Sequence, residues 1–197
     1  GEEMLRQAGI EDCDTDALLL LLHVSGMDRT HYLLERGSCM PDNVSDAYRA
    51  ALGKRAARIP LQHITGDAYF RGLRLRVSDQ VLVPRQDTEV LAEEALRLLG
   101  ALPRQGLGRR VLDLCTGSGC IIISLKHELP DISAAGTDLS SAALCIAREN
   151  ARRCGCSVSF YEGDLFAAVP AEEPFDLIVS NPPYIPAGEI IKLQEEV

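Results

Sequence analysis

Val111-Leu112-Asp113-Leu114-Cys115-Thr116-Gly117-Ser118-Gly119-Cys120 is the stretch on which the reading of this chain turns. Its first residues form a short apolar run of strand length, broken by a single acid, and the two glycines then let the backbone turn tightly. The apolar stretch 120–129 that follows has helical length. Toward the C-terminus the unit recurs, with a strand over 134–138, a helix over 141–154, and further strands over 158–162 and 175–180. Strands that alternate with helices predict a mostly parallel, doubly wound sheet. The expected class is therefore α/β.

Toward the N-terminus the pattern changes twice. Residues 1–65 carry apolar positions at helical spacing, such as Leu18, Leu21 and Leu22 and then Tyr32 and Leu33, with breaks at Gly26, Gly37 and Pro41. Residues 69–83 alternate apolar and charged side chains and predict a β-hairpin that ends at Pro84. A helical pattern resumes over 88–99 and runs into the Gly- and Pro-containing linker 100–108. The organisation expected is a helical domain over 1–68, a hairpin and linker helix over 69–108, and the sheet domain over 109–197.

Composition narrows the class of partner. The chain of 197 residues has a net charge of −9, and residues 79–197 hold 18 acidic against 10 basic groups. That balance works against nucleic acid, whose affinity rests largely on Lys and Arg. Arg49, Lys54, Arg55, Arg58, Arg71, Arg74 and Arg76 face only Asp67 between positions 49 and 76. They read either as a basic patch or as a solvated helix face followed by a charged hairpin edge. The longest apolar run, 17–22, is far shorter than the roughly 20 residues of a membrane span. Seven cysteines show neither a disulfide framework nor paired zinc spacing, and Cys154-x-Cys156 is no exception. No metal is expected, and the thiols are read as reduced in a cytoplasm.

Near the C-terminus stands Asn181-Pro182-Pro183-Tyr184. The prolines fix their own φ, lack N–H donors and hold the preceding residues extended. The turn cannot collapse into helix, so its carbonyls and the Asn181 side-chain oxygen stay available as acceptors, while Tyr184 offers a flat face and a hydroxyl. A planar NH₂ group would find two acceptors and a stacking surface there. The motif follows a strand, at the end of an open sheet where ligands bind. This points to methylation of a planar nitrogen.

The loop 113–119 fails as a dinucleotide fingerprint, because the third glycine position is Ile122. An acid followed by a short glycine turn resembles instead the first motif of S-adenosylmethionine-dependent methyltransferases. Asp138, 25 residues after Asp113, is placed as a ribose-binding acid or as a helix N-cap, two compatible roles. In Gly163-Asp164-Leu165-Phe166 the acid could accept from an adenine amino group and Phe166 could pack on the ring; a plain turn is the other reading.

With these residues assembled, the chain resembles the glutamine-N5 protein methyltransferases of the PrmC/HemK family, which modify the glutamine of the GGQ motif in peptide-chain release factors. The resemblance spans nearly the whole chain. It includes Pro60-Leu61-Gln62-His63-Ile64-Thr65-Gly66, Phe70-Arg71-Gly72-Leu73 and Val81-Leu82-Val83-Pro84-Arg85-Gln86-Asp87-Thr88-Glu89. It departs at Cys115, where the family usually has Gly, and at Gln86, where it has Pro. It implies an incomplete Rossmann-like methyltransferase sheet with a small N-terminal helical domain and a linking β-hairpin, since family members continue beyond the point where this sequence stops.

The resemblance also implies roles. S-adenosylmethionine, leaving as S-adenosylhomocysteine, would be held by Asp113, Cys115, Thr116, Gly117, Ser118, Gly119, Asp138, Asp164, Phe166 and Asn181. Asn181, Pro182, Pro183 and Tyr184 would bind the substrate amide, with Asn181, Pro182 and Tyr184 catalytic. The 84–89 segment and hairpin would shape the substrate channel, and the helical domain would dock the release factor. Two alternatives stay open: an adenine-N6 nucleic-acid methyltransferase, which shares the clamp, and a catalytically silent binding module.

Overall fold

The computed structural model describes residues 1–102, 108–170 and 174–183. They fall into two compact units, one of Gly1–Thr65 and one beginning at Gly66. No described helix is long and apolar enough to cross a membrane.

The first unit is all helical: α1 Glu2–Gln7, α2 Cys13–Ser25, α3 Arg29–Glu35, α4 Asp42–Ala56 and α5 Leu61–Thr65. Gly26, at φ 67°, ends α2 in the left-handed conformation that glycine tolerates. The Asp28 carboxylate starts α3 by accepting from His31 N at 2.7 Å. Leu5, Ile10, Ala17, Leu20, Ala51 and Leu52 form the core of this unit. Within it Arg55 Nε donates to Asp16 Oδ2 at 2.6 Å, and both side chains are only 9% exposed. Arg55 Nη1 also donates to the Ile59 carbonyl.

The second unit opens on a hairpin whose bounds differ from the expected 69–83. Strands β1 Asp67–Phe70 and β2 Leu73–Arg76 pair antiparallel, Phe70 opposite Leu73, and leave Arg71 and Gly72 as a two-residue loop. Both have positive φ, 47° and 78°, the type I′ form that matches strand twist. The apolar alternation runs on across this tight turn, which hides it. Residues 81–83 are not a strand; Val77 and Val81 bury beside Ala68, Ala143 and Ile146. The hairpin arginines are answered by carboxylates, Arg71 by Glu128, Arg74 by Asp67, which also meets Arg153, and Arg76 by Glu149. Arg55, in the first unit, is buried against Asp16, so neither it nor the hairpin arginines presents an unanswered charge.

Helix α6, Gln86–Ala101, buries Ala92, Ala95 and Leu99 at helical spacing. The sheet consists of β3 Arg110–Leu114, β4 Ser133–Asp138, β5 Val158–Glu162 and β6 Leu177–Ser180. They are parallel, in the order β5-β4-β3-β6. Helix α7 Cys120–Glu128 follows β3, and α8 Ser141–Arg153 follows β4. Ile121, Ile122, Ile123 and Leu125 make α7 apolar nearly all round, as a helix buried in the core must be. Ile122, where a dinucleotide fingerprint has glycine, is fully buried. The chain moves outward from β3 to β5 and then returns to the other side of β3. The strand order therefore reverses between β3 and β6, and at such a switch point open α/β sheets bind their ligands beyond the strand C-termini.

Candidate active site

The loop leaving β3 is built for close approach. Gly117 and Gly119 have φ of 55° and 79°, and a Cβ on Gly119 would lie 2.7 Å from Ile123 Cδ1. Around Gly117 a Cβ would meet no atom of the described residues within 4 Å, so among them that peptide borders open space. Cys115 also sits at positive φ, 57°. The turn is thus kept with a side chain in a conformation that costs about 1–2 kcal/mol in a non-glycine residue. Thr116 N donates to the Thr137 carbonyl at 2.9 Å and anchors the loop on β4. Ser118 is buried.

Asp113 lies beneath this loop with no exposed surface. Its Oδ2 accepts from Thr116 Oγ1 at 2.6 Å, and its Oδ1 has no hydrogen-bond partner among the described residues. Burial pushes its pKa up to about 7, opposed by the Thr116 hydroxyl and reinforced by the charge of Asp138. A carboxyl raised from 3.8 in this way binds its proton more tightly folded than unfolded. Its stabilising effect is therefore complete below pH 4 and fades as pH rises to about 7. Over that window the loss amounts to about 4 kcal/mol at most, at roughly 1.4 kcal/mol per pKa unit. Denaturant unfolding at pH 5 and pH 8 should show Asp113→Asn flattening this dependence. An unchanged slope would mean that Asp113 is not the group responsible.

Asp138 joins three loops. Its Oδ2 accepts from Gly117 N at 2.8 Å, its Oδ1 from Ser140 N at 2.9 Å, and its carbonyl from Gly163 N at 3.0 Å. The capping side chain of α8 is Ser140, which accepts from Ala143 N. After β5, Asp164 is exposed and opens the 3₁₀ turn Leu165–Ala168. Phe166 is 57% exposed and Leu139, next to Asp138, 70%. Large apolar groups left this open beside carboxylates suit a flat, partly polar ligand.

Asn181, Pro182 and Pro183 leave β6 beside the same loop. Leu114 pairs with Ser180 in register, and Ser180 Oγ donates to the Leu114 carbonyl at 2.9 Å. Asn181 is half-buried and its Nδ2 donates to Thr88 Oγ1 of α6 at 3.4 Å. Pro182 and Pro183 are exposed. Tyr184 lies outside the described residues.

Thr88 belongs to the 84–89 segment that the sequence marks, although nothing there marks Asn181 as its partner. One contributor escapes a reading of motifs altogether, Asn150: fully buried, it accepts from Arg76 N at 2.6 Å and donates to the carbonyls of Arg76, at 3.0 Å, and Ser118, at 2.9 Å. One amide thereby ties the hairpin to the glycine loop. The signal for it was an Asn on the apolar face that Ala143 and Ala147 define.

The residues here fit a nucleoside. Asp138 keeps unused lone pairs for adjacent hydroxyls, Asp164 is an acceptor, Phe166 and Leu139 are flat or apolar surface, and the peptides around Gly117 are approachable. Among the described residues no grouping of His, Cys, Asp and Glu could hold a metal ion.

Comparison with known proteins agrees with this geometry. Residues 92–194 match the family model of the methyltransferase small domain, and residues 1–66 that of the PrmC N-terminal domain. The second unit thus belongs to a methyltransferase class. The chain is 43% identical over 194 residues to the release factor glutamine methyltransferase of Deinococcus radiodurans, covering 98% of this chain and 67% of that protein. It is 39% identical to the one of Geobacter sulfurreducens, covering 98% and 66%, and 41% identical to the one of Chlorobaculum tepidum, covering 95% and 66%. The chain belongs to the release factor glutamine methyltransferase family. It spans about two thirds of the length of these curated relatives.

Proposed function

We propose that this protein methylates the side-chain amide nitrogen of the GGQ glutamine of peptide-chain release factors, with S-adenosylmethionine as methyl donor, in the cytoplasm. One observation carries the reading. The Asn181-Pro182-Pro183 turn and the Cys115–Gly119 loop leave neighbouring parallel strands at the same level, on the two sides of the topological switch. A nitrogen held by the first therefore faces whatever the second holds.

When bound, S-adenosylmethionine supplies an electrophilic methyl group, whose passage to an amide nitrogen breaks a carbon–sulfur bond, forms a carbon–nitrogen bond and releases one amide proton. The protein's own part is orientation. An amide nitrogen is a weak nucleophile because its lone pair is delocalised, so holding it in line is the main task. Asn181 Oδ1 and the Pro182 carbonyl accept its two N–H groups, and Pro183 keeps the residue before it extended. Asp138 takes the ribose hydroxyls, Asp164 and Phe166 the adenine, and residues 115–119 the methionine end. Asp113 acts through the loop that it supports. No strong base is needed before transfer, since the proton becomes acidic only afterwards. The helical unit docks the release factor.

Labelled methyl transfer tests the reading. Radioactive methyl should appear in a release factor and vanish when the GGQ glutamine is replaced by alanine. Incorporation into DNA adenine instead, or S-adenosylmethionine binding that calorimetry cannot detect, would overturn it.

A further inference from the structure

We infer that Thr88 is a positioning residue that aims the Asn181 side chain, an inference that rests on the clamp reading above. An asparagine amide has a donor end and an acceptor end, and only the oxygen can receive an N–H from a substrate amide. Asn181 must therefore be held with its nitrogen turned away from the substrate. The structure shows one hydrogen bond from this side chain among the described residues, from Nδ2 to Thr88 Oγ1 at 3.4 Å. That bond uses one of the two Nδ2 hydrogens, and among the described residues no group donates to Oδ1.

The position of Thr88 supports the assignment. It lies in the first turn of α6, where its backbone N–H donates to the Arg85 carbonyl at 3.1 Å, so its Cα is fixed by the helix start. Its β-branched side chain has few rotamers. The next residue, Glu89, points elsewhere and accepts from Arg71 N at 2.8 Å, at the turn of the hairpin, while the Arg71 guanidinium is held by Glu128 at 2.6 Å. Two adjacent side chains of one helical turn thus hold two loops, Thr88 the clamp and Glu89 the hairpin turn. This gives a physical reason for a Thr-Glu pair at the start of α6.

The bond is a single contact between partly buried side chains, so its removal should disturb aim rather than folding. Thr88→Val keeps the shape and β-branching and deletes the hydroxyl; Thr88→Ser keeps the hydroxyl. With a release factor as substrate, Thr88→Val should lower kcat about 10- to 100-fold through misplacement of the nitrogen, with KM and S-adenosylmethionine affinity changed less than about twofold. Thr88→Ser should restore most of the rate. In an Asn181→Ala background Thr88→Val should add nothing, because there is no amide left to aim.

A wild-type kcat in Thr88→Val, an equal loss in Thr88→Ser, or a further multiplicative loss on top of Asn181→Ala would each overturn the inference while leaving the clamp standing. Full activity of Asn181→Ala itself would remove the clamp and with it the inference. A readout without turnover uses ¹⁵N-labelled protein, in which the Asn181 side-chain amide signals are identified by their loss in Asn181→Ala. They should move in Thr88→Val and stay in Thr88→Ser; identical spectra for both variants would count against the assignment.

Discussion

Asn181→Ala should bind S-adenosylmethionine within about a factor of two of the parent protein and methylate a release factor at least about 10²- to 10³-fold more slowly, the scale of losing one preorganised hydrogen-bonding group at a reacting centre. The asymmetry follows from where Asn181 stands. The residues fit for the nucleoside, Asp138, Asp164 and Phe166, follow β4 and β5, whereas Asn181 follows β6 on the far side of β3. Truncating it leaves those loops and their ties to Asp138 untouched. What disappears is the acceptor that holds the nitrogen in line. Calorimetry for the cofactor and single-turnover kinetics for transfer separate the two effects. Parental transfer rates in the variant would refute the role given to the clamp, whereas loss of both binding and transfer would favour the cofactor-holding role that the resemblance also implies for Asn181.

In the helical unit the largest effect belongs to Arg55. Arg55→Ala should destabilise that unit by about 3–5 kcal/mol, because it strands Asp16 as an uncompensated charge in a closed interior. Both side chains are only 9% exposed, so water can do little to replace the guanidinium. Amide exchange of α2 and α4 under increasing denaturant reads the change. Replacing both partners together, Asp16→Leu with Arg55→Met, should recover most of it, since two buried apolar groups of similar bulk need no counter-charge. A loss below about 1 kcal/mol in Arg55→Ala would put the pair in the class of exposed ion pairs.

The sheet domain was legible because its code is local. Apolar runs of strand length, glycine turns and helical periods sit in strict alternation after Arg110, and the strands and helices α7 and α8 fall where that alternation puts them. The hairpin was read less well. Its turn residues, Arg71 and Gly72, carry only half of the usual Asn-Gly signal, and apolar alternation on both sides concealed the break. The charges of residues 49–76 left two readings open, because proximity in sequence does not choose between them. The carboxylates that answer the hairpin arginines, Glu128 and Glu149, lie more than fifty residues away.

The candidate site divides in the same way. That Asp138 and Asn181 stand at strand ends could be read from the sequence alone. That Asp113 lies wholly beneath its loop, that Cys115 takes a positive φ, and that Thr88 meets Asn181 across 93 residues are products of packing, which no spacing encodes. Asn150 stood between the two cases. Its place on an apolar helix face marked it as a buried polar group needing partners, but not that those partners would be a hairpin strand and the glycine loop.

The in-register pairing of Leu114 with Ser180 has a further consequence. Because the 115–119 loop and the 181–183 turn spring from hydrogen-bonded neighbours, their separation is ruled off by the strand spacing of about 4.8 Å rather than by any hinge. On the proposal above, the sheet serves as a fixed gauge between methyl donor and acceptor. A slip of one residue in either strand would turn every side chain to the opposite face, so this gauge can be inherited or lost but not adjusted by small steps. Adaptation to a new substrate then has to come from residues outside the two strands, such as Thr88 in the first turn of α6, which touches the clamp.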